Sequence, residues 1–398
     1  MPPETPPAPT LRDGDVTIRA LGEQDVEGCY EQCVDPASVR WTQVPSPYTR
    51  EMALAYCTDQ ARQKWADGSE WIFAVELAGA YAGNIALIDQ GLGRAELAYG
   101  AHPAARGTGA MERAVRLLLE WGFTEKSLAT VTWRAPRGNW ASRKLAWRLG
   151  FSFDGLLRHS YDHRGTLGDA WVGTLLVGEP RAPRHRWLTP TRLEDDAVRL
   201  RPLREDDVPR VVEACSDERT WHWLGQMPSP YTDDDARAWM ELGTEGHATG
   251  TKVTWAVADP ATDRLLGAIN AFDIDALDCE VGYWAHPEAR RRGLTTAAVR
   301  LVTQYCFDEL GVRRVRAVAA LGNAASRHVI EAVGLEQTGV ERLGTTLRTG
   351  PADVALYDVL AEEWPERSAR RSSDADHSRI AMPATESTAP TSAGARKP

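Results

Sequence analysis

The sequence predicts an α+β fold present twice, each copy a mixed β-sheet flanked by helices. A long internal repeat supports this first. HPAARGTGAMERAVRL, beginning at His102, recurs from His286 as HPEARRRGLTTAAVRL with nine of sixteen letters unchanged, where about one match is expected from average residue usage. The register also extends far beyond that stretch. Asn139 and Asn323, Gly150 and Gly334, and Asp169 and Asp353 all lie 184 residues apart, while PSPYT at Pro45 returns at Pro228 and IRAL at Ile18 matches LRPL at Leu200. The offset drifts only as one or two loop insertions require. A period this long is a whole domain and not a solenoid unit. Finally, strands and helices alternate within each copy, with some strands adjacent, which points to a mixed sheet.

Taken in order, a strand (VTIRAL; AVRLRPL) leads into a helix containing Cys33 or Cys215, and a second helix follows PSPYT. Two strands come next, WIFAVEL and YAGNIALID in the first copy, WAVAD and LLGAINAFDI in the second. A strand ending in His-Pro meets the repeated loop, then a helix with Ala114, Leu117, Leu118 and Trp121 on one face, matched by Ala298, Leu301, Val302 and Tyr305. Another strand (LATVTWRA; RVRAVAA), a short helix closed by Gly150 or Gly334, and a final strand pair complete each unit. The copies are placed at 13–180 and 198–365. A proline-punctuated linker is expected over 181–197, and residues 1–12 and 366–398 are too poor in large apolar side chains to fold.

Composition narrows the function. Of the 398 residues, 43% are hydrophobic and 26% charged, ordinary for a globular chain. The formal net charge of −10, with no basic stripe, tells against nucleic acid, whose phosphates supply most non-specific affinity. No apolar run is long enough to span a bilayer, and MPPETPPAPTLRDGD lacks the basic-then-apolar order of a signal peptide. The expectation is a cytoplasmic protein without a membrane partner. Six cysteines form no CxxC or Cys/His cluster, so no metal is expected and the thiols are read as small core hydrophobes.

The repeated loop runs Arg106, Gly107, Thr108, Gly109, Ala110, Met111 in the first copy and Arg290, Arg291, Arg292, Gly293, Leu294, Thr295 in the second. It stands between a strand and the first turn of an amphipathic helix. Glycine there admits a close ligand, and the exposed N–H groups and positive dipole of the helix start favour phosphate. Arginines beside it add charge for phosphate oxygens. Neither GxxxxGK[ST] nor GxGxxG occurs at a strand-to-helix junction, so the phosphate is not that of a typical NTP or NAD.

The order of a Glu-bearing strand, His-Pro, Arg-x-x-Gly, helix, strand, Asn-x-x-Ser helix and Gly-Phe resembles the GNAT superfamily of acyl-CoA N-acyltransferases. NWASRKLAWRLGF and NAASRHVIEAVGL are most similar to the branch containing the ribosomal-protein alanine acetyltransferases. The resemblance covers both copies nearly end to end. It departs at Met111 and Thr295, where glycine or alanine is usual, and at Arg291, which stands where the first copy has Gly107. It implies direct transfer from acetyl-CoA to a primary amine without metal. The pyrophosphate would rest on the two loops and the pantetheine on the splayed edge of the preceding strand.

Candidate catalytic residues follow. Glu96 and Glu280, aligned just before His-Pro, are positioned to take the amine's proton; the competing reading is a glutamate on a solvated strand face. Ser142 and Ser326 could protonate the departing sulfur. Asn139 and Asn323, three residues earlier, either contact the cofactor's pantetheine or cap the helix that follows. Tyr99 and Tyr283 are read as core, and His102 and His286 as structural. PSPYT with Trp41, Trp221 and Trp223 fits either an aromatic acceptor region or helix packing. The acceptor is expected to be a small-molecule amine, with a protein N-terminus as alternative. A non-catalytic acyl-CoA sensor is the other class, and the two copies are candidates for a pseudo-dimer.

Overall fold

The computed structural model describes residues 8–225 and 227–367. The chain divides into two compact units, residues 1–184 and 185–398. In the first, β1 (Leu11–Asp13) and β2 (Val16–Arg19) precede α1 (Val26–Val34), α2 (Pro36–Trp41) and α3 (Arg50–Ala55). A π-helical turn joins α3 to α4 (Ala61–Asp67). Then come β3 (Glu70–Leu77), β4 (Ala80–Asp89), β5 (Arg94–Ala101), α5 (Ala110–Glu125), β6 (Thr130–Pro136), α6 (Trp140–Arg148), β7 (Gly155–His163) and β8 (Thr166–Leu176). The eight strands form one sheet in the order β1-β2-β3-β4-β5-β6-β8-β7. Only the β5–β6 pair is parallel.

The second unit repeats this plan. It runs β9 (Leu193–Glu194), β10 (Arg199–Arg201), α7 (Val208–Ser216), α8 (Glu218–Trp223), α9 (Asp233–Thr249), β11 (Lys252–Ala258), β12 (Leu265–Phe272), β13 (Asp278–Ala285) and α10 (Leu294–Tyr305). β14 (Arg314–Ala320), α11 (Ala324–Val333), β15 (Glu336–Leu347) and β16 (Gly350–Leu360) complete it. The sheet order is β9-β10-β11-β12-β13-β14-β16-β15, again with one parallel pair, β13–β14. Each unit is therefore a mixed sheet flanked by helices.

Burial explains the periodicities. WIFAVEL in β3 is almost wholly buried because helices cover both sheet faces there, so it reads as a continuous apolar run. α5 buries Ala114, Leu118 and Trp121 in a core with Phe73, Leu87, Val131 and Trp171. α10 does the same with Ala298, Val302 and Tyr305. Leu117 and Leu301, on the same stripes, are only partly covered. All six cysteines are free and buried.

The edges differ from expectation. β1 begins inside the stretch expected to be unstructured, paired antiparallel with β2, and β9 lies inside the expected linker. That linker is fastened at both ends. The Arg181 guanidinium lies 4.3 Å from the Phe123 ring, and Arg184 donates to the Gly150 carbonyl at 2.8 Å. Beyond it, the Leu188 N–H bonds to the His247 carbonyl at 2.9 Å and the Trp255 indole to the Thr191 carbonyl at 2.9 Å. Each side of the segment thus belongs to its own unit. α2 and α8 were not foreseen; each is a single short helix capped by an aspartate, Asp35 or Asp217. The expectations for residues 1–7 and 368–398 lie outside the described residues.

Candidate functional site

A gap in the sheet positions the site. β5 and β6 pair only from Arg94 with Thr130 to Leu97 with Trp133, although β5 runs on to Ala101 and β6 to Pro136. β13 and β14 likewise pair only as far as Glu280 with Arg316. Beyond those residues the strands diverge, leaving one edge of β5 and β13 with backbone groups that no neighbouring strand takes up. On its other side β5 stays fully paired with β4. Gly83 permits this, since a Cβ there would stand 2.3 Å from the Gly100 carbonyl oxygen, and Gly267 does the same against Trp284 at 2.5 Å.

Glu96 lies at the last paired rungs, half-buried, with Arg134 Nη1 3.9 Å from its carboxylate. Burial raises its pKa, and Arg134 opposes the rise. Glu280 has the same setting, with Arg316 at 3.7 Å. Burial again raises its pKa, Arg316 lowers it, and Asp273 and Asp278 add to the rise. The two arginines occupy different register positions on β6 and β14, yet both approach the aligned glutamate. A carboxylate held partly out of water accepts a proton more readily than a solvated one.

Three residues along, on the opposite sheet face by strand alternation, the Tyr99 hydroxyl meets Ser142 Oγ at 2.6 Å. The Trp133 indole N–H donates to the same Oγ at 3.0 Å. Tyr283 and Ser326 repeat the pair at 3.0 Å. The Tyr99 and Tyr283 phenols are each pushed up to about 12, chiefly by burial, so both stay protonated and able to donate. Tyr99 was read as core from sequence. Its ring packs against the core while its hydroxyl reaches the serine, a duality that alternation alone does not reveal. The serines are placed by a cap: Asn139 Oδ1 accepts the Ser142 N–H at 3.2 Å, and Asn323 the Ser326 N–H at 3.1 Å. The capping alternative for the asparagines is thus realised.

The repeated loops take the same shape. Gly109 (φ +83°) and Gly293 (φ +74°) end them in left-handed conformation at the N-caps of α5 and α10. Gly107 and Arg291 match in turn, with φ of +79° and +60°. A Cβ on Gly107, Gly109 or Gly293 would meet nothing within 4 Å, so the glycines leave open space. Among the described residues, the N–H groups of Met111 and Glu112, and of Leu294, Thr295 and Thr296, find no acceptor. In the first copy Thr108 Oγ1 accepts from the Ala110 N–H at 3.2 Å. Met111 points back toward Gly83, 3.0 Å from where a Cβ would stand, and Thr295 lines a small gap with Gly267 and Leu294. Neither departure from glycine fills the cradle.

The loop arginines differ from expectation. Arg106 donates to Asp35 and, at 3.2 Å, to Ser38; Arg290 donates to Asp217 and, at 2.8 Å, to Thr220. Both guanidiniums tie the loop to the caps of α2 and α8. Arg291 and Arg292 remain exposed at the second loop. His102 and His286 accept from the N–H groups of Ala104 and Glu288 through Nδ1, each at 3.3 Å. Their Nε2 atoms lie 3.1 Å from Glu31 and 3.2 Å from Glu213. These acidic partners, like Asp35 and Asp217, went unread in sequence. The shared offset of 182 residues is the signal that would have found them.

A sheet gap beside a strand-to-helix loop with open glycines is thus present twice, as in a duplicated domain. The acetyltransferase (GNAT) domain family model matches residues 15–152 and again 197–336. The chain belongs to that family and is an acetyltransferase built from two GNAT domains. YdaF of Bacillus subtilis, provisionally named a ribosomal N-acetyltransferase, is 36% identical over 179 residues, covering 43% of this chain and 94% of its own. YoaA of the same organism, an N-acetyltransferase by name, is 24% identical over 170 residues, 42% of this chain and 96% of its own. RimJ of Mycobacterium smegmatis, solved in complex with CoA-disulfide, covers 47% of this chain and 94% of its own at 21% identity and a TM-score of 0.43. No helix among the described residues is long and apolar enough to cross a membrane.

Proposed function

We propose that each half transfers the acetyl group of acetyl-CoA directly to a primary α-amine. The observation that carries this reading is the sheet gap, flanked by Glu96 on one face and the Tyr99–Ser142 pair on the other, and repeated at Glu280, Tyr283 and Ser326. The unpaired N–H groups and open glycines of Arg106 to Met111 and Arg290 to Thr295 suit the pyrophosphate. The free edge of β5 or β13 suits the pantetheine amides. Asn139 and Asn323 serve by aiming the serines, and their amide nitrogens are the groups to face the pantetheine.

The chemistry follows from the pKa order. An α-amine, with pKa ~7.7 to 8.0, is largely protonated at neutral pH. Glu96 or Glu280, its proton affinity raised by burial, takes that proton before the neutral nitrogen attacks the thioester carbonyl, and the proton that the nitrogen sheds as the amide forms replaces the one the hydroxyl pair gives up. The hydroxyl pair on the other face returns a proton to the departing sulfur. The ribosomal name of YdaF favours a protein N-terminus as acceptor; a small-molecule amine is the second reading, favoured by a modest cavity of about 360 Å³ in the second half, lined by Trp221, Pro230 and Tyr231. The test is CoASH release from the full chain across a library of peptides and small amines. No release with any amine, despite tight CoA binding, would overturn catalysis in favour of an acyl-CoA sensor.

A further inference from the structure

The duplicated plan is not filled identically. Beside α8 the second half carries Trp221, whose ring borders the cavity noted above and whose buried indole N–H finds no acceptor among the described residues. That atom is sealed from any ligand. The difference that bears on the reaction lies on the Glu-bearing strand itself.

By strand alternation Glu96, Ala98 and Gly100 share one face of β5, and Glu280, Gly282 and Trp284 the same face of β13. The last two residues of each set stand beyond the final parallel rung, on the stretch whose edge is free. Across the antiparallel ladder Ile88 stands opposite Glu96, whereas Phe272 stands opposite Glu280. Phe272 leans along the face, with a ring carbon 3.1 Å from where a Cβ of Gly282 would stand. Trp284 packs on the cluster of α7 and α9, and the Trp239 ring lies 5.9 Å from its own. Glu280, Gly282, Trp284 and Phe272 are all half-buried, so each keeps exposed surface on this face.

In the first half the same place is filled from the helix, not from the strand. Gly100 has no side chain, and the Gln32 amide nitrogen of α1 stands where its Cβ would be. Tyr81 holds that amide by donating to Gln32 Oε1 at 3.2 Å. On α7 the matching residue is Ala214, too short to reach. Gln32 with Gly100 is thus exchanged for Ala214 with Trp284, an amide for an indole at one point of the plan.

We propose that the second half is selective for an α-amine with an aromatic side group, which packs on Phe272 and Trp284, while the first half, with Ala98 and no ring at these points, lacks that preference. With the amine at Glu280 and the thioester along the free edge of β13, the side group lies over Gly282, where no side chain competes. Trp284, about 13 Å from Glu280 along the strand, closes the end of the trough. This rests on the acetyltransferase reading for the reaction, but the ring contact does not.

Glu96→Gln and Glu280→Gln chains each leave one half to be read. In Glu96→Gln, kcat/KM for L-phenylalaninamide is expected to exceed that for L-alaninamide about tenfold, the worth of one buried ring. In Glu280→Gln no such excess is expected. Adding Trp284→Leu to Glu96→Gln is expected to remove most of the preference through KM and not kcat, because the ring contact is equal in ground and transition states. Adding Gln32→Ala and Gly100→Trp to Glu280→Gln is expected to confer the preference on the first half. Calorimetry on the Glu96→Gln chain saturated with CoA supplies a readout apart from turnover: Trp284→Leu is expected to weaken L-phenylalaninamide binding about tenfold. Equal preference in both halves, a preference that survives Trp284→Leu, or no binding of L-phenylalaninamide would overturn the proposal. Binding that depends on Trp284 with no acetylation of any amine would overturn the catalytic reading alone.

Discussion

Glu96 and Glu280 combine partial burial, which raises the carboxyl pKa, with an arginine that opposes the rise, a setting that suits a base. Glu96→Gln or Glu280→Gln is expected to lower kcat about 100-fold in the half that carries it; unchanged turnover at pH 7 in both variants would remove these groups from the mechanism. At the loops, Gly109→Leu and Gly293→Leu place a side chain in open space at positive φ. The backbone penalty is about 1 to 2 kcal/mol. Calorimetry is expected to show CoA binding weakened tenfold or more in the altered half, and normal affinity would contradict the assignment. The repeat alone singles out the glutamates, serines and loop residues as candidates. The Tyr99 hydroxyl and the Asp35 and Asp217 partners are not legible there, because each acts across tens of residues where spacing carries no information.

The elements that aim these residues depend on a few buried polar links. Arg201 makes bidentate bonds to Asp207 at 2.7 and 2.8 Å with side chains 9% and 6% exposed, pinning β10 to the start of α7. Arg201→Met would strand the aspartate and is expected to cost about 3 to 5 kcal/mol, read by urea denaturation. Arg19 and Asp25 repeat the link in the first unit. Asn139→Ala removes the cap of α6 and is expected to cost about 1 kcal/mol while also loosening Ser142. A fall in kcat exceeding that stability loss is the expected kinetic sign. Strand and helix order was readable from apolar periodicity. α2 and α8 escaped it because six residues give too few turns to show a period, and only their Asp caps mark them.

The main core of each unit is built from that unit's own residues, which makes each half its own folding problem. His247 sets a pH limit on the second. Burial drives its pKa from 6.5 down to about 4, with Lys252 assisting, and its neutral Nε2 accepts the Thr254 N–H at 3.0 Å. Between those values the unfolded chain holds a proton the folded one refuses, so stability is complete above about pH 6.5 and is lost as pH falls toward 4. From pH 7 to pH 5 the loss is expected to be about 2 kcal/mol, and His247→Gln is expected to flatten it. An unchanged slope in that variant would exonerate this histidine.

By itself the sequence determined the duplication, the mixed-sheet class, the glycine-bearing loops at the two helix starts and the aligned glutamates and serines, because all of these are recorded in spacing along one chain. Only the tertiary structure decided that β5 and β6 part just beyond Glu96, that the loop arginines turn back onto helix caps, and that the second half alone carries an unpartnered indole beside a cavity. Those features arise where residues far apart in sequence meet: the first two recur in both copies, and the third separates them.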